Sequence, residues 1–77
     1  MTLPAPPERY EKFRRMLIDA RQEAGLTQVE LAEKLDRPHS FVWKVENGRR
    51  GVDVIEFLEI MKAIGSDPVA FLRSLSK

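Results

Sequence analysis

Two short helical segments separated by almost nothing constrain this chain more than any other feature. Thr27-Gln28-Val29-Glu30 has the form of a capping box: the Thr27 hydroxyl accepts from the Glu30 N–H, and the Glu30 carboxylate accepts from the Thr27 N–H. The helix it opens runs through Leu31, Ala32 and Leu35 and is barely two turns long. Asp36-Arg37-Pro38 then turns the chain, because the residue before a proline avoids the helical region. A second segment of similar length runs from about Pro38 to Glu46 and stops at Asn47-Gly48. Isolated helices below ~12 residues are marginal in water. Neither segment stands alone, so a surrounding body must hold the pair together.

The flanking sequence supplies that body. Tyr10, Phe13, Leu17, Ala20 and Ala24 recur at helical spacing and form one apolar stripe, on a helix that starts near Pro7 or Glu8 and ends at Gly25. After a loop from Arg49 to Val52, Asp53 caps a fourth helix with Val54, Phe57, Leu58, Met61 and Ile64 on one side, stopped by Gly65. Asp67-Pro68 opens a fifth helix that continues toward the C-terminus. Met16, Phe57 and Met61 are expected in the core. No strand pattern or repeat is visible. The expectation is an all-α, compact five-helix domain over residues 8–77, preceded by a flexible proline-rich arm over residues 1–7, where Leu3-Pro4-Ala5-Pro6-Pro7 resists helix.

Composition narrows the function classes. A chain of 77 residues is one domain at most, and a domain of this size buries only about 60% of the surface its unfolded chain exposes. A dimer interface is a natural supplement to so small a core. With no cysteine, disulfides and Cys-ligated metal sites are excluded, which is compatible with a reducing cytosol. No apolar run approaches the ~20 residues that cross a bilayer, and no signal peptide is read at the start; a cytoplasmic location without membrane contact is expected. The net charge is only +1. Its distribution says more. Lys34 to Gly51 holds five basic residues (Lys34, Arg37, Lys44, Arg49, Arg50) against two acidic ones (Asp36, Glu46), whereas the segments on either side are each slightly acidic.

The third helix lies within that basic stretch and has one polar face. At about 100° per residue, His39, Ser40, Trp43, Lys44 and Asn47 fall on one side, and Pro38, Val42 and Val45 on the other, with Phe41 and Glu46 at the flanks. An imidazole, a hydroxyl, an indole, an amine and an amide are groups that contact base edges. A solvated structural face more usually carries Glu and Lys, and an exposed tryptophan asks for a partner. The alternative is that Trp43 packs on a neighbouring helix. Catalysis finds no support: Ser40 has no identifiable base, Glu56 and Glu59 are placed as on an ordinary solvated face, and no phosphate loop is present. The single histidine, without cysteine or a carboxylate partner nearby, is no metal site, and no cofactor is expected.

The stretch Ala24-Gly25-Leu26-Thr27-Gln28-Val29-Glu30-Leu31-Ala32-Glu33-Lys34-Leu35 resembles the first half of the Cro/C1-type (XRE-type) helix-turn-helix. That family includes phage repressors and restriction–modification controller proteins. Ser40 through Arg50 resembles its recognition helix and the following loop, and Phe57 through Gly65 its fourth helix. The likeness covers roughly Arg14 to Phe71. It implies a lambda-repressor-like fold with the helix-turn-helix at the second and third helices, acting as a sequence-specific regulator of transcription, in the expected case a repressor.

Position by position, the resemblance implies that Gln28 clamps a phosphate at the start of the second helix, with Thr27 beside it, and that Asn47, Arg49 and Arg50 contact the backbone on the other flank. His39, Ser40, Trp43 and Lys44 occupy base-reading positions, with Arg37 reaching from the turn. Arg21 and Glu46 match a structural ion pair tying the first helix to the end of the third. Two departures stand out. Pro38 replaces the usual polar cap, so that Arg37 or Asp36 must supply the capping geometry. Trp43 replaces a residue that is often small.

The expected partners are a palindromic double-stranded DNA operator and a second copy of the chain. One two-turn helix reads too few base pairs to select a genomic site, and a two-fold dimer doubles the readout. Val69, Phe71, Leu72 and Leu75 are spread too widely around the fifth helix for one core-facing stripe, so residues 66–77 are expected at the dimer interface, with help from Ile55 or Leu58. The competing function is a protein-interaction module of the same fold, such as an antitoxin-like or regulatory partner protein. A purely architectural helical subunit is a third.

Overall fold

Local capping chemistry sets where each helix begins and ends. In the computed structural model, which describes residues 7–77, the chain forms α1 (Pro7–Glu23), α2 (Gln28–Lys34), α3 (His39–Glu46), α4 (Val54–Ile64) and α5 (Pro68–Leu75). The arm expected over residues 1–7 lies outside the described residues except for Pro7, which is the first residue of α1. Among the described residues there is no strand, and no helix is long and apolar enough to cross a membrane.

Gly25 closes α1 in the left-handed region, at φ 75°, and its N–H donates to the Gln22 carbonyl at 2.9 Å. The capping box of α2 is complete: Glu30 N donates to Thr27 Oγ1 at 3.0 Å, and Thr27 N donates to Glu30 Oε1 at 2.9 Å. The Glu30 carboxyl is held below its ordinary range, chiefly by that backbone N–H of Thr27. A second capping box starts α4, where Asp53 Oδ1 accepts from Glu56 N at 2.7 Å and Glu56 Oε1 accepts from Asp53 N at 3.2 Å.

The start of α3 is solved differently from expectation. No side chain caps it; Pro38 itself is the capping residue, and its carbonyl accepts from Phe41 N at 2.9 Å. The chain reaches that position because Asp36 adopts a left-handed φ of 54°, a conformation that aspartate tolerates better than most residues. Arg37 N then bonds back to the Ala32 carbonyl at 3.0 Å, which locks the turn.

The core gathers Leu17 of α1, Leu31 and Ala32 of α2, Phe41, Val42 and Val45 of α3, Phe57, Ile60 and Met61 of α4, and Phe71 of α5, with Met16 packed partly against it. Phe13, Phe57 and Phe71 form an aromatic trio with ring centroids 5.2–6.0 Å apart, in the tilted and edge-on geometries that aromatic pairs prefer. That trio welds α1, α4 and α5 into the platform on which α2 and α3 sit.

Four residues lie elsewhere than their spacing predicts. Phe71, expected at a dimer interface, is only 8% exposed because it completes the aromatic trio. In α4 the buried stripe is Phe57, Ile60 and Met61, leaving Val54 and Leu58 on the surface. The helix is apolar on more than one side, so two stripes are available to it. Packing against the platform selects the one containing Ile60. Glu56, expected on a solvated face, is buried with that stripe.

Candidate nucleic-acid interface

The platform orients α3 so that one face is sealed and the other is open. Phe41, Val42 and Val45 are buried, while His39, Ser40, Trp43 and Lys44 are exposed. Trp43 retains 46% of its surface, so it is not packed on a neighbouring helix. Lys44 makes no ion pair among the described residues. His39 Nε2 lies 3.9 Å from Glu33 Oε2, a long and solvent-exposed approach.

At the C-terminal end of α3, the Asn47 side chain donates to the Trp43 carbonyl at 2.8 Å and closes the last turn. Gly48 follows at φ 71°, and Arg49 N bonds to the Lys44 carbonyl at 2.8 Å. This leaves the Arg49 side chain exposed beside the end of the helix. The Arg14 guanidinium abuts Gly48, and a Cβ there would lie 3.2 Å from Arg14 Cζ. Arg9 and Arg14 join Arg49 and Arg50 along a half-open cleft of about 510 Å³, floored by Phe13, Val52 and Leu75. Arg9 and Arg14 were not singled out from the sequence; only the crossing of α1 over the end of α3 brings them to this flank.

At the last residue of α3, a buried polar node holds α1, α2 and α3 together. Glu46 accepts from Arg21 Nε at 2.7 Å and from Arg21 Nη2 at 3.0 Å, while Arg21 Nη1 donates to the Leu26 carbonyl at 2.8 Å. Gln28 Nε2 donates to the same Glu46 carboxylate at 2.9 Å. The Arg21 and Glu46 side chains are 10% and 5% exposed. Gln28 therefore stands at the start of α2 with one amide N–H committed inward and the second available outward.

Arg37, before α3, and Arg50, after it, meet a common partner. Arg50 Nη1 and Nη2 donate to the two Glu56 oxygens at 2.8 and 2.7 Å, and Arg37 Nη2 lies 3.2 Å from Glu56 Oε2. Both guanidinia stack over the Phe41 ring, 4.8 and 4.7 Å from its centroid. The Arg50 pair, foremost, holds the Glu56 carboxyl down at about 2 against an ordinary 4.5. Sequence reasoning missed Glu56. The signal that was present is its place three residues after Asp53, the capping-box spacing, which directs a glutamate back toward the chain instead of into solvent.

Of the expected interface residues, Val69 and Leu72 of α5 and Leu58 of α4 are exposed, as are Val54 and Ile55. Leu75 is half-buried and Phe71 lies in the core. Among the described residues no group of three or more His, Asp or Glu side chains is placed to hold a metal ion.

A family model described as a helix-turn-helix domain matches residues 12–73. Among solved structures, an XRE-family like protein from Pseudomonas syringae pv. tomato str. DC3000 is similar at 49% identity and a TM-score of 0.86, over 90% of this chain and 84% of that one. The wild-type restriction–modification controller protein C.Esp1396I is similar at 25% identity and a TM-score of 0.79, over 87% of this chain and 88% of that one. No curated protein matches the sequence significantly.

Proposed function

This chain belongs to the XRE family of helix-turn-helix DNA-binding proteins, and we propose that within it the protein is a transcriptional regulator that binds an inverted repeat as a dimer. The observation that carries this reading is the open face of α3, where Trp43 is exposed among His39, Ser40 and Lys44 with cationic and amide groups at both ends of the helix.

In this reading α3 enters the major groove. Lys44 donates to guanine O6 and N7, and His39 and Ser40 to neighbouring acceptors. Trp43 covers a thymine methyl or lies against the sugar–phosphate backbone with its indole N–H donating. Arg37 reaches in from the turn. Gln28, with Thr27, takes a phosphate at the start of α2 through its outward amide N–H. Asn47, Arg49 and Arg50 take phosphates on the opposite flank. Two copies joined through Val69, Leu72 and Leu58 bring two such helices to half-sites about 34 Å apart, one duplex turn. Occupying an operator excludes other proteins from it, so repression is the simplest regulatory outcome.

The test is selection of bound duplexes from a random pool. An enriched inverted repeat, bound less tightly as salt rises, is the expected result. A pool with no enriched site, together with a stable complex with another protein at high salt, overturns it.

A further inference from the structure

Glu56 is 8% exposed, yet it collects cations from both ends of α3. Arg37 comes from the turn before the helix and Arg50 from the loop after it, and their side chains remain 36% and 37% exposed while both touch the same carboxylate. Both also lie over Phe41, a buried residue of α3 itself. The acid is fixed by burial and by its capping bond to Asp53 N, whereas the two guanidinia keep a solvent-facing side.

A carboxylate and a phosphate offer a guanidinium the same pair of oxygens. Resting on the DNA-binding reading above, we propose that Glu56 is a specificity-determining positioning residue: it stands in for a phosphate in the free protein, holding Arg37 and Arg50 in register with α3 and partly neutralising them toward DNA met at random. The two arginines are not equivalent. Arg50 is bound bidentately, and its departure leaves the buried carboxylate with one cation at 3.2 Å. Arg37 makes that single longer contact, and its departure leaves the bidentate pair intact. Arg37 is therefore the arginine that transfers to the operator, while Arg50, whose Nη1 also donates to the Gly51 carbonyl at 2.8 Å, offers only its Nε–H and second Nη2–H from a clamped position.

Non-specific binding is almost entirely phosphate electrostatics, whereas operator binding adds base contacts. An internal counter-ion thus weakens the first more than the second. Glu56→Gln preserves shape and one acceptor oxygen for Asp53 N but removes the charge. Its affinity would be measured against salt, on the selected operator and on an unrelated duplex of equal length. On the unrelated duplex the variant should bind more tightly, with a slope steeper by about one for each freed arginine. The operator-to-unrelated affinity ratio should fall roughly tenfold. A variant of wild-type helical content whose slopes and ratio are unchanged overturns the proposal, since a purely structural Glu56 would move only the melting temperature. If that variant does not fold, Arg37→Ala carries the test. It should flatten the operator slope by about one and lower the ratio, and an unaltered slope overturns the proposal equally. A wild-type protein that binds no duplex brings down the DNA reading and this proposal with it; a wild type that binds normally beside unmoved variants brings down this proposal alone.

Discussion

Arg21 and Glu46 lie 25 positions apart in sequence, yet their side chains meet bidentately at 2.7 and 3.0 Å, and the same carboxylate receives the amide of Gln28 at 2.9 Å. One buried acid thus fixes the end of α3 against α1 and sets the side chain that begins α2. That carboxylate ties α1, α2 and α3 together at one polar point, beside the apolar contacts of Leu31 and Ala32 with Val42 and Val45 in the shared core.

Glu46→Ala should therefore be severely destabilising. Removing one partner of a buried pair typically costs about 3–5 kcal/mol because the other charge is left unpaired. That is a large share of the stability of a domain this small. Thermal unfolding checks it: a melting temperature within a few degrees of wild type would show that the pair contributes little.

Acid stability should report Glu56. Its carboxyl is depressed in the folded state to about 2 from an ordinary 4.5, so its contribution to stability is present above the unfolded value and is lost as pH falls through the folded one. Stability should therefore decline between pH 4.5 and about 2. In Glu56→Gln the decline over this window should be shallower, read by denaturant unfolding at several pH values.

Phe71→Glu and Leu72→Glu should differ in kind. Phe71 is buried against Phe13 and Phe57, so a charge there should unfold the protein. Leu72 is 49% exposed on the adjacent position of α5, so its substitution should leave helical content intact and shift a dimer toward monomer. Circular dichroism and sedimentation at micromolar concentration separate the two. A Leu72→Glu variant as dimeric as wild type would move the interface elsewhere.

Lys44→Ala and Arg49→Ala should separate reading from positioning. The first should relax preference at one base-pair position, at about 1–3 kcal/mol, and the second should weaken all duplexes alike and reduce the salt slope by about one. Uniform weakening in Lys44→Ala would transfer that residue to the phosphate-contacting group.

The helix boundaries and the open face of α3 were legible in the sequence because their causes are local. Thr27 and Glu30, or Asp53 and the N–H groups after it, lie within one turn of each other, and any chain with those residues meets the same geometry. Trp43 and Lys44 share a face with His39 by helical period alone. The role of Glu56 was not legible, although its capping-box spacing was available, because burial depends on what α4 packs against.

What the sequence by itself determined is the set of five helices, their caps, and the polar face that α3 presents. Which side of α4 is buried, that Phe71 closes the core instead of meeting a partner, and that Arg37 and Arg50 converge on Glu56 were decided only by tertiary structure. Capping and periodicity act over three or four residues, whereas α4 offers two apolar stripes of nearly equal quality and α5 an apolar surplus with no single direction. The choice between them is made by contacts with α1 and α2: α4 packs against α2, and Phe13 of α1, more than forty positions earlier in the chain, meets both Phe57 and Phe71.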